Sequence, residues 1–315
     1  MDRPLVSILI NNFNYGRFLA EAIDSALNQT YPNCEVVVVD DGSTDNSRDI
    51  IAGYGDRIRA VLKKNGGQGS TFNAGWKEAR GDIICFLDAD DAFTPNKVER
   101  ILQVFAEDKS LGWVFHTLKL LDTNTGKELP RPDRGITRKI DFRPLMQQGK
   151  MPNFAPATSG LCFTRELLAK VLPMPELEGT SADRFLKLAA LAQAPGMYLD
   201  EPLVEQKIHG KNAFTLQGDK QRVGAKSLVF TGYWMRTRFP DLRKYANKMF
   251  GIGLGTYWKT GGVEPKYQYV VDDYKKLLSP VERFEVWARA FYHSNPVLAA
   301  VHRWRLAHYK GHSGT

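Results

Sequence analysis

Cysteine is scarce in this sequence: 315 residues contain three, Cys34, Cys85 and Cys162. An odd number at such wide spacing fits neither a disulfide framework nor a zinc cluster, so we interpret them as buried thiols in a reducing compartment. No stretch approaches the ~20 consecutive apolar residues that a membrane-spanning helix needs. The apolar run at residues 5–10 is also too short, and too soon interrupted, for a signal peptide. We therefore expect a cytoplasmic protein.

Patterns typical of several other protein classes are also missing. The segment GGQGS at residues 66–70 lacks the Gly-Lys-Ser/Thr ending of a P-loop and the spacing of a dinucleotide site. No G-x-S-x-G nucleophile elbow occurs. The formal net charge of +8 is compatible with nucleic acid, anionic lipid or phosphorylated ligands. Because the basic residues are scattered and no nucleic-acid-binding motif accompanies them, we expect no nucleic-acid partner.

The first 115 residues alternate strand and helix signals. Four short apolar runs have the length of strands, at residues 5–10, 35–40, 58–62 and 82–87. Amphipathic segments between them predict helices, and this alternation predicts an α/β fold with a mostly parallel sheet flanked by helices.

The rest of the chain follows two other patterns. Residues 116–214 mix strand-like pieces with a helix near 183–193, and from about 215 onward the pattern is helical. We therefore predict one domain over residues 1–214, followed by a helical C-terminal region over 215–315.

Polar clusters follow three of the four predicted strands. They read NNFN at residues 11–14, DDGS at 40–43 and DADD at 88–91. In an open parallel sheet, ligands bind beyond the carboxyl ends of the strands, so we expect these clusters to share one edge. A single strand-end acid can simply cap the next helix, but several carboxylates at one edge repel one another unless a cation joins them. Mg²⁺ or Mn²⁺ fits best, because both prefer oxygen ligands.

Several ordered motifs resemble those of family 2 glycosyltransferases of the GT-A fold. The strong matches cover residues 5–14, 25–33, 37–45, 65–67, 73–75, 81–82 and 86–91, with weaker ones at 198–203 and 208–212. The resemblance implies a nucleotide-binding half at residues 1–115, an acceptor half at 116–214 and inversion at the anomeric carbon. It also implies transfer of a single sugar from a nucleotide-diphosphate sugar to a hydroxyl acceptor of a growing glycan or glycolipid.

The same resemblance implies which residues bind the nucleotide. Asn11 and Phe13 correspond to the loop that holds the base, Phe13 by stacking on it. Asp41, with Asp40 beside it, corresponds to the acid that reads a ring N–H and typically selects uracil, so the expected donor is a UDP-sugar.

Further roles are implied for the residues around the diphosphate. Asn65 and Gly67 belong to a loop that packs beside the nucleotide. Asp88 would face the ribose or the sugar, and Asp90 would ligate the metal. His209 matches a motif in which a histidine approaches the metal or the diphosphate, although a lone histidine is often structural.

The sequence departs from the family at the general base. Relatives carry a Glu-Asp pair shortly before an amphipathic helix, and here residues 178–185 read EGTSADRF. Asp183 is the matching acid, although an acid at this position also suits the helix macrodipole. Glu178 is the alternative base. The missing pair leaves open a second function, a nucleotide-sugar-binding protein without turnover.

The C-terminal region is rich in aromatic and basic residues. Phe284, Trp287 and Phe291 recur at helical spacing among arginines, as is typical of a helix that packs on its own domain. Basic amphipathic helices with tryptophan can also lie on an anionic bilayer, here the inner face of the membrane, which would suit a lipid-linked acceptor. A third alternative is that these helices pair two subunits in a homo-oligomer.

Overall fold

The computed structural model describes residues 3–130, 136–152, 156–176, 182–209 and 220–295. The strands in these ranges are β1 (Val6–Asn12), β2 (Cys34–Asp40), β3 (Arg59–Leu62), β4 (Ile83–Asp88), β5 (Asp91–Phe93), β6 (Trp113–His116), β7 (Lys119–Asp122), β8 (Glu128–Leu129), β9 (Arg138–Ile140), β10 (Leu161–Thr164), β11 (Gly196–Leu199) and β12 (Val204–Ile208). The α-helices are α1 (Gly16–Leu27), α2 (Ser47–Tyr54), α3 (Gln68–Glu78), α4 (Lys97–Glu107), α5 (Arg143–Gln147), α6 (Arg165–Val171), α7 (Ala182–Gln193), α8 (Lys220–Arg238), α9 (Arg243–Lys259), α10 (Gln268–Lys276) and α11 (Pro280–Ser294).

An eight-stranded sheet organises the first part of the chain, in the order β3-β2-β1-β4-β10-β6-β11-β9. The four strands predicted from the apolar runs are all present and mutually parallel, with β1 between β2 and β4. The side chains of β1, β2 and β4 are mostly buried because helices cover the sheet, whereas β3 at its edge is partly exposed. The prediction of an α/β fold is confirmed.

The second half of this sheet is mixed. Strand β10 runs antiparallel to both β4 and β6, whereas β11 runs parallel to β6. A second sheet, in the order β5-β12-β7-β8, was not predicted. Two of its strands have only three and two residues, which is too short for an alternating pattern to be recognised.

The chain divides into two compact units. The first comprises Met1–Arg143 and Asn153–Leu216, and the second comprises Pro144–Pro152 and Gln217–Thr315. Both sheets belong to the first unit, and helices α8 to α11 belong to the second. None of the helices in the described ranges is both long and apolar enough to cross a bilayer.

Helix α11 packs on the second unit by small residues. A capping box formed by Ser279 and Glu282 starts the helix. Val286 and Ala290 are buried, and Gly255 of α9 lies so close that a Cβ there would be 2.3 Å from the carbonyl oxygen of Ala290. Helix α11 thus packs on its own unit as predicted, but through its small side chains, because Phe284, Trp287 and Phe291 are each at least half exposed.

Candidate active site

Strand β1 connects the two acidic clusters because it lies between β2 and β4. Its last two residues are in register with the ends of both neighbours: Asn11 pairs with Asp88, and Asn12 with Asp40. The Nδ2 of Asn11 donates to Asp88 Oδ1 at 2.8 Å, and the Nδ2 of Asn12 donates to Asp40 Oδ1 at 2.9 Å. The three predicted polar clusters therefore meet at one edge of the sheet.

At the end of β2, Asp40 is completely buried and bound to protein groups. Its Oδ2 accepts from the Ser43 N–H and from Arg48 Nε, each at 3.0 Å. Burial alone would raise the pKa of Asp40, but the hydrogen bonds from Ser43, Arg48 and Asn12 outweigh it and lower that pKa. This carboxylate is ionised and holds the loop that follows β2.

The neighbouring Asp41 fixes the loop before α3. Lys63 Nζ donates to Asp41 Oδ1 at 2.6 Å, and the N–H groups of Gly66 and Gly67 donate to its two oxygens at 2.9 and 2.7 Å. Gly67 has φ +81°, a conformation that glycine adopts without strain. Because Asp41 binds this loop, the predicted residues 40–41 and 65–67 form a single structure.

An open cavity of about 470 Å³ adjoins this structure. Its lining includes Asn65 and three cations, Arg48, Lys63 and Lys64. Sequence reasoning assigned no role to Arg48 or Lys63, because neither belongs to a recognised motif. A cavity lined by positive charge suits an anionic or carbonyl-bearing ligand.

The loop after β1 presents an aromatic ring to solvent. Phe13 is 44% exposed, so one face of its ring is available for stacking. The next residue, Asn14, has a left-handed backbone with φ +58°, and its Oδ1 accepts from the Thr44 N–H at 2.7 Å. Asn14 thus ties the β1 loop to the β2 loop, and this role was not predicted.

The end of β4 is acidic, in contrast to the cation-lined cavity beside the end of β2. Burial, followed by the charge of Asp90, raises the pKa of Asp88 to about 7. The charge of Asp183, from the start of α7, raises it further, whereas the hydrogen bond from Asn11 and the charge of Lys187 partly offset these effects. The structure therefore brings Asp88, Asp90 and Asp183 into one neighbourhood.

The predicted metal ligand Asp90 lies against His209. The Nε2 of His209 is 3.0 Å from Asp90 Oδ2. The imidazole is nearly buried and stacks on Phe18, with ring centroids 4.6 Å apart and planes inclined by 30°. These contacts fix the ring beside the carboxylate, so the two residues form one unit.

A buried network below the cluster was missed by the sequence analysis. Ser159 Oγ accepts from the Asp88 N–H at 3.0 Å and donates to Asp91 Oδ2 at 2.6 Å. The buried Lys97 donates to the Ser159 carbonyl at 2.7 Å and lies 3.4 Å from the centroid of the Phe93 ring. Burial and then the charge of Asp90 raise the pKa of Asp91 well above its usual range. No signal in the sequence links these distant positions.

The predicted base, Asp183, lies in the first turn of α7. Lys187 Nζ donates to Asp183 Oδ2 at 2.7 Å and to the carbonyl oxygen of Pro156 at 2.8 Å. Asn73 anchors the chain upstream, because its side chain exchanges hydrogen bonds of 2.7 and 2.8 Å with the backbone of Met174. The alternative base, Glu178, lies outside the described residues.

The donor set at the end of β4 suits a hard divalent cation. Among the described residues, no group of three His, Cys, Asp or Glu side chains forms a complete metal site. The charge of Asp90 nevertheless raises the pKa of Asp88, and a cation would relieve this repulsion. Mg²⁺ is typically bound by one or two carboxylates together with substrate phosphates. Asp90 and His209, with Asp88 beside them, therefore fit a metal that arrives with a diphosphate.

The chain is similar in sequence to known glycosyltransferases. A family model described as Glycosyl transferase family 2 matches residues 7–172. An uncharacterized glycosyltransferase of Nostoc sp. is 38% identical over 212 residues, which cover 66% of this chain and 66% of that protein. A chondroitin synthase of Pasteurella multocida is 43% identical over 117 residues, 36% of this chain and 12% of that protein. The chain thus matches less than two-thirds of these relatives' length.

Solved structures share the fold at low identity. The structure of S. aureus TarS 1-349 in complex with UDP-GlcNAc has a TM-score of 0.63 at 17% identity, over 95% of this chain and 92% of that one. A mannosyltransferase from Pyrobaculum calidifontis in complex with GDP-Man and Mn²⁺ has a TM-score of 0.50 at 21% identity, over 95% and 86%.

Proposed function

Because this chain belongs to glycosyl transferase family 2, and is therefore a glycosyltransferase with a GT-A fold, we propose that it moves a single sugar from a UDP-sugar to a hydroxyl acceptor. The transfer inverts the anomeric carbon and requires Mn²⁺ or Mg²⁺. The acceptor belongs to a growing glycan or glycolipid. The observation that carries this proposal is the group of Asp88, Asp90 and Asp183 at the end of β4, where the charges of Asp90 and Asp183 raise the pKa of Asp88 and a cation bound to diphosphate would relieve that repulsion.

The nucleotide binds on the β1 and β2 side of the site. Phe13 stacks on the base with its exposed ring, and Asn65 and Gly67 border the nucleotide from the loop that Asp41 holds. Asp41 and Lys63 together offer an acceptor and a donor to the edge of a pyrimidine, which has both an N–H and carbonyl oxygens. Asp40 supports this loop from below, because its carboxylate is buried and bound by Arg48 and Ser43.

The diphosphate and the sugar bind at the end of β4. Asp88 faces the sugar or ribose, with its orientation set by Asn11. Asp90 and His209 would hold the metal, and their mutual contact orients both groups. When bound, the cation stabilises the negative charge that develops on the departing diphosphate. Two proteins of the same fold, described in complex with UDP-GlcNAc and with GDP-Man and Mn²⁺, support this class of donor.

Asp183 acts as the general base. The acceptor oxygen attacks the anomeric carbon, the bond to the diphosphate breaks, and the proton of the acceptor hydroxyl passes to the Asp183 carboxylate. Lys187 holds this carboxylate through an ion pair of 2.7 Å, and its second bond, to the Pro156 carbonyl, fixes the ammonium group. The proximity of Asp183 to Asp88 supports a base close to the sugar.

The test is donor turnover by the full chain with a panel of nucleotide sugars and added Mn²⁺. We expect turnover with a UDP-sugar and loss of turnover when the metal is chelated. Asp183→Asn should abolish transfer and leave the affinity for the donor nearly unchanged, because the amide keeps the shape but cannot accept the proton.

The Asp183→Asn variant also separates the alternative functions. A binding protein without turnover would bind the donor and consume none in the wild type. Full transfer activity in Asp183→Asn would exclude Asp183 as the base and direct attention to Glu178. Asp49→Asn, which alters an exposed acid in the first turn of α2, is the matched control and should leave turnover unchanged.

A further inference from the structure

Helix α11 exposes an apolar stripe on the face opposite its packed side. Val281 and Phe284 are each 68% exposed, Trp287 is 54% exposed and Phe291 is 50% exposed. Their spacing of three, three and four residues places them on one side of a helix, whereas the buried Val286 and Ala290 lie on the other side. The rings of Trp287 and Phe291 stack on each other, with centroids 5.6 Å apart. The stripe is therefore continuous and faces solvent.

The stripe continues into an apolar groove between α9, α10 and α11. The groove has a volume of about 390 Å³, and its lining includes Trp258, Tyr274, Phe284 and Trp287. Lys275 and Arg283 also line it, and Arg283 Nε donates to the Lys275 carbonyl at 3.2 Å. Large exposed apolar patches mark sites where a protein meets another protein or a membrane. The aromatic groove and its cations together match the two parts of a lipid, an apolar chain and an anionic headgroup.

The part of the chain that carries this stripe is basic. Residues 220–295 contain 14 Arg and Lys residues and six Asp and Glu residues, and two of those acids, Glu282 and Glu285, lie on α11 itself. Three of the acids near the stripe already contact cations. Glu282 caps α11 and pairs with Arg236, and Asp272 and Asp273 pair with Lys275 and Lys276.

We propose that the stripe of Val281, Phe284, Trp287 and Phe291 binds the surface of an anionic lipid bilayer. The aromatic rings enter the headgroup region, and the neighbouring Arg and Lys side chains contact lipid phosphates. A second copy of the chain fits less well, because a two-fold symmetric contact would bring the cations beside the groove, Lys275 and Arg283, close to the same cations of the other copy. The enzyme would then meet an acceptor that is anchored in the membrane.

The test is co-sedimentation of the full chain with vesicles of equal parts phosphatidylcholine and phosphatidylglycerol, and with vesicles of phosphatidylcholine alone. We expect binding to the anionic vesicles, and weakening by roughly fivefold for each Arg or Lys replaced near the surface. The triple variant Phe284→Ser, Trp287→Ser, Phe291→Ser should bind at least about tenfold more weakly. Ile136→Ser removes a side chain that is 76% exposed on the first unit, and it should bind as the wild type does.

A second variant tests the same stripe with a conservative substitution, so that its result does not depend on whether the triple variant folds. Trp287→Phe retains an aromatic ring, so it should still sediment with anionic vesicles while losing part of the tryptophan quenching by brominated lipid. Equal sedimentation of the wild type with neutral and anionic vesicles would overturn the proposal, as would unchanged binding by the triple variant. Concentration-dependent dimerisation that the triple variant abolishes would assign the stripe to a second copy instead. Donor turnover without acceptor reports on the sugar-transfer proposal separately.

Discussion

Two acidic clusters stand at the same edge of one sheet, and they differ in how their charge is neutralised. At the end of β2, Asp40 and Asp41 receive hydrogen bonds from Arg48, Lys63 and several backbone N–H groups. These contacts lower the pKa of Asp40 although the side chain is buried. At the end of β4, the pKa values of Asp88 and Asp91 are raised, because burial and neighbouring carboxylates oppose ionisation.

This difference separates support from ligand binding. A carboxylate that is already neutralised by the protein stabilises the fold and has little to offer a cation. A carboxylate whose neighbours are also acids gains from a cation, and perturbed pKa values of this kind cluster at functional sites. The β2 cluster, Asp40 and Asp41, therefore holds the loops beside which we propose the nucleotide binds, and the β4 cluster, Asp88, Asp90 and Asp91, is the one that we propose receives the metal and the diphosphate.

The largest effect is expected from a substitution in the β4 cluster. Asp90→Asn should lower turnover by roughly 10²- to 10³-fold, the size of effect typical of losing one group that stabilises developing charge. Because the substitution removes a charge that repels Asp88, the melting temperature should not fall. The measurements are donor turnover at saturating Mn²⁺ and thermal unfolding.

Asp49→Asn serves as the control for this substitution as well. Both replacements turn an acid into its amide, but Asp49 lies exposed on α2. Wild-type turnover by Asp90→Asn would refute the assignment of the metal to the β4 cluster.

A smaller effect is expected when the contributions of the two clusters to the free energy of unfolding are compared. Asp40→Asn should lower the free energy of unfolding by about 2 kcal/mol near neutral pH, because an amide whose oxygen accepts from Arg48 and the Ser43 N–H turns its NH₂ group towards the donor of Asn12. Asp88→Asn should leave stability unchanged or raise it, since it removes a charge that Asp90 and Asp183 repel and keeps an acceptor for Asn11. Chemical denaturation of both variants measures the difference.

The pH dependence gives a further check on Asp40. Its folded-state pKa is lowered, so its contribution is fully present above the unfolded-state value of about 3.9 and is lost as the pH falls through the folded-state value. The difference between wild type and Asp40→Asn should therefore shrink below about pH 4. A difference that stays constant there would mean that the ionised carboxylate is not what stabilises the loop.

The sequence was sufficient to predict the four parallel strands of the main sheet. Strands β1 to β4 are apolar runs separated by amphipathic helices, and this local pattern determines a parallel sheet with its polar residues at one edge. The second sheet was missed because β5 and β8 are short, and because β5 pairs with β12, a strand far along the chain. The aromatic spacing of α11 was visible, but periodicity identifies a face without telling whether anything covers it.

The site was predictable in position and less so in its electrostatics. Asp40 and Asp88 both end strands and look alike in the sequence, but the charge of Asp183 that raises the pKa of Asp88 comes from far along the chain. Asp91 likewise meets Ser159, 68 residues away. Such long-range contacts depend on the tertiary fold, so the different electrostatics of the two clusters become visible only in the structure.

The smallest effect is expected beside the β2 cluster, where we propose that the nucleotide binds. Phe13→Ala should raise the KM for the donor by roughly tenfold, since stacking on one base contributes about 1–3 kcal/mol, and should leave kcat nearly unchanged. Phe13→Tyr keeps the ring and should restore the wild-type KM. The separate effects on KM and kcat matter, because a substitution in the β4 cluster should lower kcat, whereas a substitution beside the β2 cluster should raise KM. If Phe13→Ala lowered kcat and left KM unchanged, the two clusters would not divide binding from chemistry as their electrostatics indicate.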